Sequence, residues 1–276
     1  MEKEQECFER AFEAVMTSDI VPMDAMLRHV TSVRGKRLRP RLVFLSARLF
    51  GEVNDITRHT ALFVELFHTA TLIHDDVVDG SDIRRGQASV NARWDSRAAV
   101  LAGDYLLAKA MAQLSEPSDH PILKEMLNVA MAMSEGELLQ AASPLGDASS
   151  VTAESLQPTA SPSGDASSVT YMEVIERKTA RLIRACCVGG ALSVGASSDA
   201  INIIGDFGLN LGLVFQMRDD ILDNDDSTAA ALARQLLPEY LDKALKALDT
   251  LAPYTKDKEA QHALRELTLF CAERES

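Results

Sequence analysis

The sequence predicts an all-α protein that forms a single domain. Apolar residues recur at helical spacing along most of the chain, and no stretch alternates between apolar and polar residues as a half-buried strand would. Alanine, leucine and methionine are abundant, whereas aromatic residues make up only 5% of the 276 residues. Because 46% of the chain is hydrophobic, it can bury a large core, and we expect one domain over residues 1–276.

Long amphipathic segments follow one another from residue 41 onward. The predicted helices span residues 41–50, 56–79, 98–115, 121–142, 171–196 and 200–223. The helix over 98–115 ends before Pro117, because a residue that precedes proline avoids the helical conformation. The helices over 56–79 and 200–223 each end in a cluster of aspartates.

Residues 143–170 differ from the helical segments in composition. "SPLGDASSVT" at 143–152 recurs at 161–170 with a single mismatch, and Ser, Pro, Gly and Asp dominate both copies. This composition is typical of a flexible surface loop between helices. We interpret the repeat as a tandem duplication within a tolerant loop, without a function of its own.

The composition excludes several classes of protein. A net charge of −13 argues against a protein that coats nucleic acid. The four cysteines show no CxxC spacing and match no zinc ligand set. The acidic, amphipathic start is unlike a signal peptide, and no apolar run approaches the ~20 residues that span a bilayer. We therefore expect a cytoplasmic protein without a transmembrane segment.

Two acidic motifs are the first indication of a functional site. "DDVVD" contains Asp75, Asp76 and Asp79, and "DDILD" repeats the DDxxD spacing further along the chain with Asp219, Asp220 and Asp223. Aspartates four residues apart share one helix face, where they repel each other unless a cation lies between them. One such motif is as typical of a solvated helix end as of a metal site, but two copies at the ends of apolar helices favour Mg²⁺.

Basic residues supply the complementary charge. "RGKRLRPR" at 34–41 and the pair Arg84 and Arg85 offer donors for phosphate, and "ERKTARL" adds Lys178 and Thr179. A nucleic-acid patch is disfavoured by the acidic background and by the lack of interleaved aromatic residues. Carboxylates and cations together predict a phosphorylated substrate that binds with a metal.

The motifs together resemble those of the trans-isoprenyl diphosphate synthases, the polyprenyl synthase family, and especially its long-chain members. The resemblance rests on "GKRLRP", "LIHDDVVDGSDIRRG", "GDYLLA", "GELLQ", "ERKTARL" and "FGLNLGLVFQMRDDILD", which occur in family order. It implies an isoprenoid-synthase-type helical bundle around a central cavity, usually as a homodimer. It also implies an Mg²⁺-dependent condensation of isopentenyl diphosphate with an allylic prenyl diphosphate, whose product is expected to pass to membrane enzymes.

The resemblance also assigns roles to residues. It implies metal binding by Asp75, Asp79, Asp219 and Asp223, and catalytic roles for Asp75, Asp76, Asp79, Lys178, Asp219 and Asp220. The implied isopentenyl diphosphate site consists of Lys36, Arg39, His68 and Arg85. The implied allylic diphosphate site consists of Arg84, Lys178, Thr179 and Gln216. The sequence alone would interpret His68 as a core or helix-face histidine.

Product length is expected to depend on residues before the first acidic motif. In the resembled family a bulky residue four or five positions before it blocks the growing chain, and here these positions hold the small residues Thr71 and Ala70. Phe67, Leu66 and Phe63 lie deeper and are expected to form a lower floor. We expect a long product of the kind used for quinone side chains.

The chain departs from the family pattern after residue 223. The family continues with a Gly-Lys-Asp-Leu-like segment and a "GKxTLP"-like helix start, whereas this chain runs "NDDSTAAALARQLLPEYLDKALKALDTL". Relative to the family pattern a block is therefore missing, and the C-terminal region is short.

This deletion leaves a second interpretation open, in which a catalytically impaired homologue binds prenyl diphosphates or acts as a regulatory subunit. An HD-type phosphohydrolase is disfavoured because the six histidines are scattered. A terpene cyclase is disfavoured because it would lack "GKRLRP".

Overall fold

The computed structural model describes residues 2–116, 120–142, 171–223 and 227–274. These ranges are almost entirely helical, which confirms the predicted all-α class. The helices are α1 (Glu2–Val15), α2 (Val21–Thr31), α3 (Leu38–Phe50), α4 (Asp55–Val78), α5 (Val90–Arg93), α6 (Ser96–Gln113), α7 (His120–Ala142), α8 (Tyr171–Ile175), α9 (Arg181–Ser193), α10 (Ser198–Asp223), α11 (Thr228–Thr250) and α12 (Lys258–Glu273). The duplicated sequence at 143–170 lies outside the described residues, so its prediction as a loop stays a prediction.

Helix α4 is the central element that carries the first acidic motif. It begins at a capping box, in which the side chain of Asn54 accepts from the backbone N–H of Thr57 and the Thr57 hydroxyl accepts from the backbone N–H of Asn54. Apolar side chains on successive turns of α4 are buried against α3, α6 and α9. The helix ends at Val78, and Gly80 turns the chain with a positive φ of 63°.

Most of the core forms one continuous cluster, and α10 joins it to a second. The larger cluster draws on α1 to α7 and on α9 to α12. The smaller cluster surrounds Tyr171, Ile175 and Met217 and includes the start of α11. Because α10 packs against both α9 and α11, it fixes the second acidic motif relative to the rest of the bundle.

Two details differ from the sequence prediction. A two-stranded antiparallel hairpin, β1 (Ile83–Arg84) and β2 (Gln87–Ala88), follows the first acidic motif, although no strand was predicted. Its strands are too short to show an alternating pattern. The segment predicted as one helix over 171–196 is α8, a π-helical turn over Glu176–Ala180, and α9. Such single π-turns often occur at functional sites.

By length and composition, α10 is apolar enough to cross a membrane, which the sequence prediction did not anticipate. More than half of its most apolar window is buried inside the protein, as in the core helix of a helical bundle. The cysteines form no disulfide within the described residues, and Cys186, Cys187 and Cys271 are buried.

Candidate active site

A cavity of about 1020 Å³ lies between α3, α4, the hairpin, α7, the π-helical turn, α10 and α12. It brings together all the residues predicted to bind substrate, which are Lys36, Arg39, His68, Arg84, Arg85, Lys178, Thr179 and Gln216. Asp75 and Asp219 line it as well. Residues more than a hundred positions apart in the chain therefore meet at one site.

The basic segment before α3 is held in place by Arg37. This residue caps α3 in the left-handed conformation, with φ of 50°, which is uncommon outside glycine. Its guanidinium donates to Glu65 of α4 over 2.6 Å and to Glu9 of α1 over 3.1 Å, and it stacks 4.4 Å from the centre of the Phe12 ring. These buried contacts fix the backbone between Lys36 and the first turn of α3.

Arg39 differs from Arg37 because its guanidinium has no ion-pair partner. Within the described part of the chain, no carboxylate pairs with Arg39, and its Nε is buried without a hydrogen-bond partner. Burial lowers the pKa of Arg39, and the more distant negative charges of Glu65 and Asp219 offset this effect only in part. A partly buried guanidinium with an unsatisfied donor favours an anionic ligand in the cavity.

Arg85 and His68 stand beside Arg39. Arg85 lies at the hairpin turn with φ of 52°, and burial followed by the charges of nearby arginines lowers its pKa. The pKa of His68 lies well below its usual range because the ring is buried and faces Arg39 and Arg85. His68 is therefore neutral at pH 7 and offers one N–H donor rather than a positive charge.

The first acidic motif divides its three aspartates between different surroundings. Asp75 lines the cavity, whereas Asp79 is exposed at the C-cap of α4. Asp76 is buried and accepts from Arg84 Nε over 2.8 Å, so it orients Arg84 at the cavity wall. Burial raises the pKa of Asp75 to about 6, and Glu137 and Asp79 contribute to this rise through their negative charges.

Close helix packing sets the position of this motif. His74, which precedes Asp75, packs against Gly103 of α6, and any side chain at position 103 would collide with the imidazole. The ring also contacts the backbone oxygen of Val100 at 3.2 Å. Gly103 therefore allows α4 and α6 to approach where the acidic motif begins.

The π-helical turn presents Lys178 and Thr179 to the cavity. Lys178 forms an ion pair with Glu137 at 2.7 Å and donates to Gln140 over 2.7 Å. Thr179 donates to Gln216 Oε1 over 2.7 Å. This last contact requires α10 to lie close to the turn, and Gly212 permits it, since a Cβ there would lie only 2.5 Å from Ala180 Cα.

The second acidic motif is also engaged by protein side chains. Asp219 pairs with Arg274 at the end of α12, whose guanidinium also stacks 4.3 Å from the centre of the Phe215 ring. Asp220 accepts from Tyr171 and from Gln216 Nε2, the latter over 2.9 Å. Burial raises the pKa of both aspartates. Asp223 is exposed at the end of α10.

The carboxylate oxygens of the two motifs are suitable ligands for a magnesium ion whose remaining ligands are phosphate and water. Asp75 and Asp79 share one helix face, as do Asp219 and Asp223, and all offer the hard oxygen ligands that Mg²⁺ prefers. Within the described ranges, no three His, Cys, Asp or Glu side chains are grouped closely enough to hold a metal by themselves.

Some residues of the site were not predicted from the sequence. Arg274, Phe215, Phe270 and Glu137 also line the cavity, and Tyr171 contacts Asp220 behind it. Glu137 lies within the quoted "GELLQ" motif, which offered a signal for it. The tail "AERES" offered no comparable signal for Arg274, because its contact with Asp219 depends on how α12 packs.

The residues of α4 that precede the first acidic motif include those on which product length is expected to depend. Thr71 lines the cavity, and Ala70 is fully buried next to it. Phe63 and Phe67 are both buried and stack with ring centres 5.8 Å apart one turn deeper. That the aromatic pair limits the length of the product stays a prediction.

Comparisons of sequence place the chain among known proteins. It is 35% identical over 219 residues to heptaprenyl diphosphate synthase component 2 of Geobacillus stearothermophilus, which covers 78% of this chain and 62% of that protein. It is 34% identical over 208 residues to octaprenyl diphosphate synthase of Escherichia coli, which covers 75% of this chain and 59% of that protein. The chain thus spans about three fifths of the length of these relatives.

Comparisons of structure agree. A polyprenyl synthase of Caulobacter crescentus, crystallised with calcium and isoprenyl diphosphate, superposes with a TM-score of 0.85 at 28% identity, covering 100% of this chain and 96% of that one. A decaprenyl diphosphate synthase of Rhodobacter capsulatus gives a TM-score of 0.83 at 26% identity, covering 99% and 97%. Residues 21–235 match the family described as polyprenyl synthetase. On the fold, the two acidic motifs and these comparisons, the chain belongs to the polyprenyl synthetase family.

Proposed function

We propose that this protein is a prenyltransferase that condenses isopentenyl diphosphate with an allylic prenyl diphosphate to give a trans-polyprenyl diphosphate. One observation carries the proposal. Arg39 is partly buried, has an unsatisfied buried Nε and forms no ion pair with a carboxylate among the described residues, in a cavity whose other wall bears Asp75 and Asp219. An anion that binds the guanidinium and a metal that binds the carboxylates would offset both costs.

The basic half of the cavity suits isopentenyl diphosphate. Lys36, Arg39 and Arg85 offer cationic donors to a diphosphate, and neutral His68 adds one N–H. Arg37 does not take part directly, since Glu9 and Glu65 occupy its donors. It holds the segment that presents its neighbours.

The acidic half suits an allylic diphosphate with Mg²⁺. Asp75, Asp79, Asp219 and Asp223 would hold the metal, and Arg84, Lys178, Thr179 and Gln216 would contact the diphosphate. Bound there, Mg²⁺ would supply positive charge that stabilises the departing diphosphate. Lys178 and Arg84 add to this stabilisation from the protein, and Asp76 keeps Arg84 directed at the cavity wall.

The cavity wall also fits the carbon chemistry. When the allylic carbon–oxygen bond breaks, the electron pair leaves with the diphosphate, and the double bond of isopentenyl diphosphate attacks the resulting allylic cation. A proton then leaves to the released diphosphate, so no side-chain base is needed. Leu72, Met133 and Phe215 line the cavity and exclude water from the cation.

A long-chain product is supported by α4 and by the relatives. Thr71 leaves space directly before the first acidic motif, and the stacked Phe63 and Phe67 provide the floor beneath it. Relatives with heptaprenyl, octaprenyl and decaprenyl products are among the similar proteins. We propose a product for quinone side chains, made in the cytoplasm and passed to membrane enzymes.

The proposal includes a homodimer. α6 and α7 expose large apolar side chains, including Leu101 at 54% and Met131 at 59%. Such residues are costly in water and typical of surfaces that a second subunit covers. We propose that these helices form the dimer interface.

A second function is favoured by Arg274. Its guanidinium forms an ion pair with Asp219, the residue of the second acidic motif that lines the cavity. Together with the block missing after Asp223, this ion pair favours a homologue that binds prenyl diphosphates and acts as a regulatory subunit. One similar protein is itself described as component 2 of a synthase.

An elongation assay separates the two functions. The purified protein is incubated with Mg²⁺, farnesyl diphosphate and labelled isopentenyl diphosphate, and the products are sized by chromatography. The proposed synthase gives products beyond a single addition, which disappear with EDTA and in Asp75→Asn. Asp82→Asn is the matched control, because Asp82 is exposed in the same segment and does not line the cavity. A folded protein that binds farnesyl diphosphate without elongating it would establish the regulatory subunit instead.

A further inference from the structure

A chain of hydrogen bonds leads from the cavity wall to Tyr171 behind it. Thr179 donates to Gln216 Oε1 over 2.7 Å, and Gln216 Nε2 donates to Asp220 Oδ1 over 2.9 Å. The Tyr171 hydroxyl donates to the other carboxylate oxygen of Asp220. Among these four residues, Thr179 and Gln216 line the cavity, whereas Asp220 and Tyr171 are not among its lining residues in the described chain.

The carboxylate of Asp220 fixes the direction of every bond in this chain. An ionised carboxylate only accepts, so Gln216 must turn its NH₂ group toward Asp220. The carbonyl of Gln216 then faces Thr179, and the threonine hydroxyl must donate to it. What remains for a ligand is the second N–H of Gln216 and the lone pairs of Thr179. If the carboxylate of Asp220 rotated, the amide of Gln216 and the hydroxyl of Thr179 would no longer be held in these orientations.

Tyr171 prevents that rotation. It is the first residue of α8 and is only 2% exposed, in the apolar cluster with Ile175, Leu213 and Met217. Burial raises the pKa of its hydroxyl, so the group remains a donor throughout the physiological range. With one oxygen held by Tyr171 and the other by Gln216, the carboxylate has a single favourable orientation.

We infer that Tyr171 is a positioning residue for the allylic diphosphate half of the site. It touches no substrate, and it acts through Asp220 on the amide of Gln216 and the hydroxyl of Thr179. The inference rests on the proposed function, because it names the residue that orients the two polar groups of that site. It also places Asp220 as a positioning residue rather than a ligand of the substrate.

Tyr171→Phe tests the inference, because phenylalanine keeps the buried ring and removes only the donor. Loss of a hydrogen bond to a charged group is expected to raise the KM for farnesyl diphosphate about ten-fold. The KM for isopentenyl diphosphate should stay within about two-fold, since its site lies in the basic half. Partial loss of folded protein would lower only the apparent kcat, because the KM values are measured on the molecules that remain folded. Equal effects on both KM values, or on neither, would overturn the inference.

Tyr240→Phe is the matched control. Tyr240 packs against the same apolar cluster, and its ring lies 4.2 Å from Lys243 Nζ rather than against the site. The control should leave both KM values unchanged. In an Asp220→Asn background, Tyr171→Phe should cause little further change, because the two residues act in series. Fully additive effects of the two variants would also contradict the inference.

A crystal structure of Tyr171→Phe decides the question independently of activity. We expect Asp220 and the amide of Gln216 to turn away from the orientation described above, with Thr179 no longer donating to Gln216. An unchanged orientation would overturn the inference. Failure of the wild-type protein to elongate would instead refute the proposed function, and the positioning role would still be decided by this structure.

Discussion

The basic and acidic halves of the cavity differ in how far their charged side chains form ion pairs within the protein. In the basic half, Arg39 is partly buried and Arg85 is exposed at the hairpin turn, and within the described ranges no carboxylate forms an ion pair with either. In the acidic half, several charged groups form ion pairs within the protein, as Lys178 does with Glu137 and Asp219 does with Arg274.

This difference shows that charged side chains can be left available for a ligand or be occupied by other protein side chains. The unpaired cations are already arranged for an anion, and binding satisfies donors that have no ion-pair partner in the protein. The paired groups satisfy one another, so a metal and a diphosphate must displace existing contacts. We therefore expect the basic half to bind its ligand without metal, and the acidic half to need Mg²⁺.

The largest expected effect is the loss of the metal half. Asp75→Asn should lower the rate of elongation about 10³-fold, because the carboxylate that lines the cavity can no longer hold a charge-stabilising ion. Steady-state kinetics at saturating substrates measure this change. The affinity for isopentenyl diphosphate should be nearly unchanged, and a parallel loss of that affinity would show that the halves are not separate.

Arg39→Gln should reduce the affinity for isopentenyl diphosphate about 100-fold, since a charge-assisted contact to phosphate is lost. It should also stabilise the free protein, because a partly buried cation that has no ion-pair partner and an unsatisfied Nε is removed. Calorimetry and urea unfolding measure the two effects. Arg37→Gln is the matched comparison and should destabilise the fold by about 3 kcal/mol or more, because it leaves Glu9 and Glu65 without their partner. Equal stability changes in the two variants would contradict the difference between these neighbours.

A smaller effect is expected in the acidic half from Arg274→Gln. Removal of the guanidinium frees Asp219, so the affinity for Mn²⁺ as a magnesium substitute should rise up to about ten-fold. Electron paramagnetic resonance of bound Mn²⁺ measures this affinity without any assay of activity. Arg265→Gln, whose partner is the exposed Asp249, should leave it unchanged. A weaker affinity in Arg274→Gln would mean that Arg274 assists the metal site rather than competes with it.

The smallest expected effect on rate is that of Thr71→Phe, which should instead change product length. A ring at this position would fill the space above the buried Phe67, and the products should be shorter. Chromatography of the products from the elongation assay measures the change. Products of unchanged length would show that the growing chain does not follow α4.

Much of this site could be predicted from the sequence because its ligands lie in compact motifs. Helical spacing placed Asp75 and Asp79 on one face, and all eight residues predicted to bind substrate line the cavity. The ion pairs between side chains of different helices could not be predicted in this way. The contact of Arg274 with Asp219 joins the two ends of α10 and α12, and it depends on packing rather than on local pattern.

The π-helical turn and the role of Tyr171 were missed for a similar reason. Helical periodicity does not distinguish one wider turn from regular helix, so residues 171–196 were predicted as one segment. Tyr171 precedes Lys178 by two turns and meets Asp220 only in the folded bundle. The two-residue strands of the hairpin are likewise set by the turn around Arg85 and Gly86, both at positive φ, rather than by an alternating pattern.

The difference between the two halves is tested most directly by calorimetry with each diphosphate, in EDTA and in Mg²⁺. We expect isopentenyl diphosphate to bind with similar affinity in both conditions, and farnesyl diphosphate to bind measurably only with Mg²⁺. Metal-independent binding of farnesyl diphosphate, or a requirement of isopentenyl diphosphate for Mg²⁺, would contradict a preformed basic half and an internally paired acidic half.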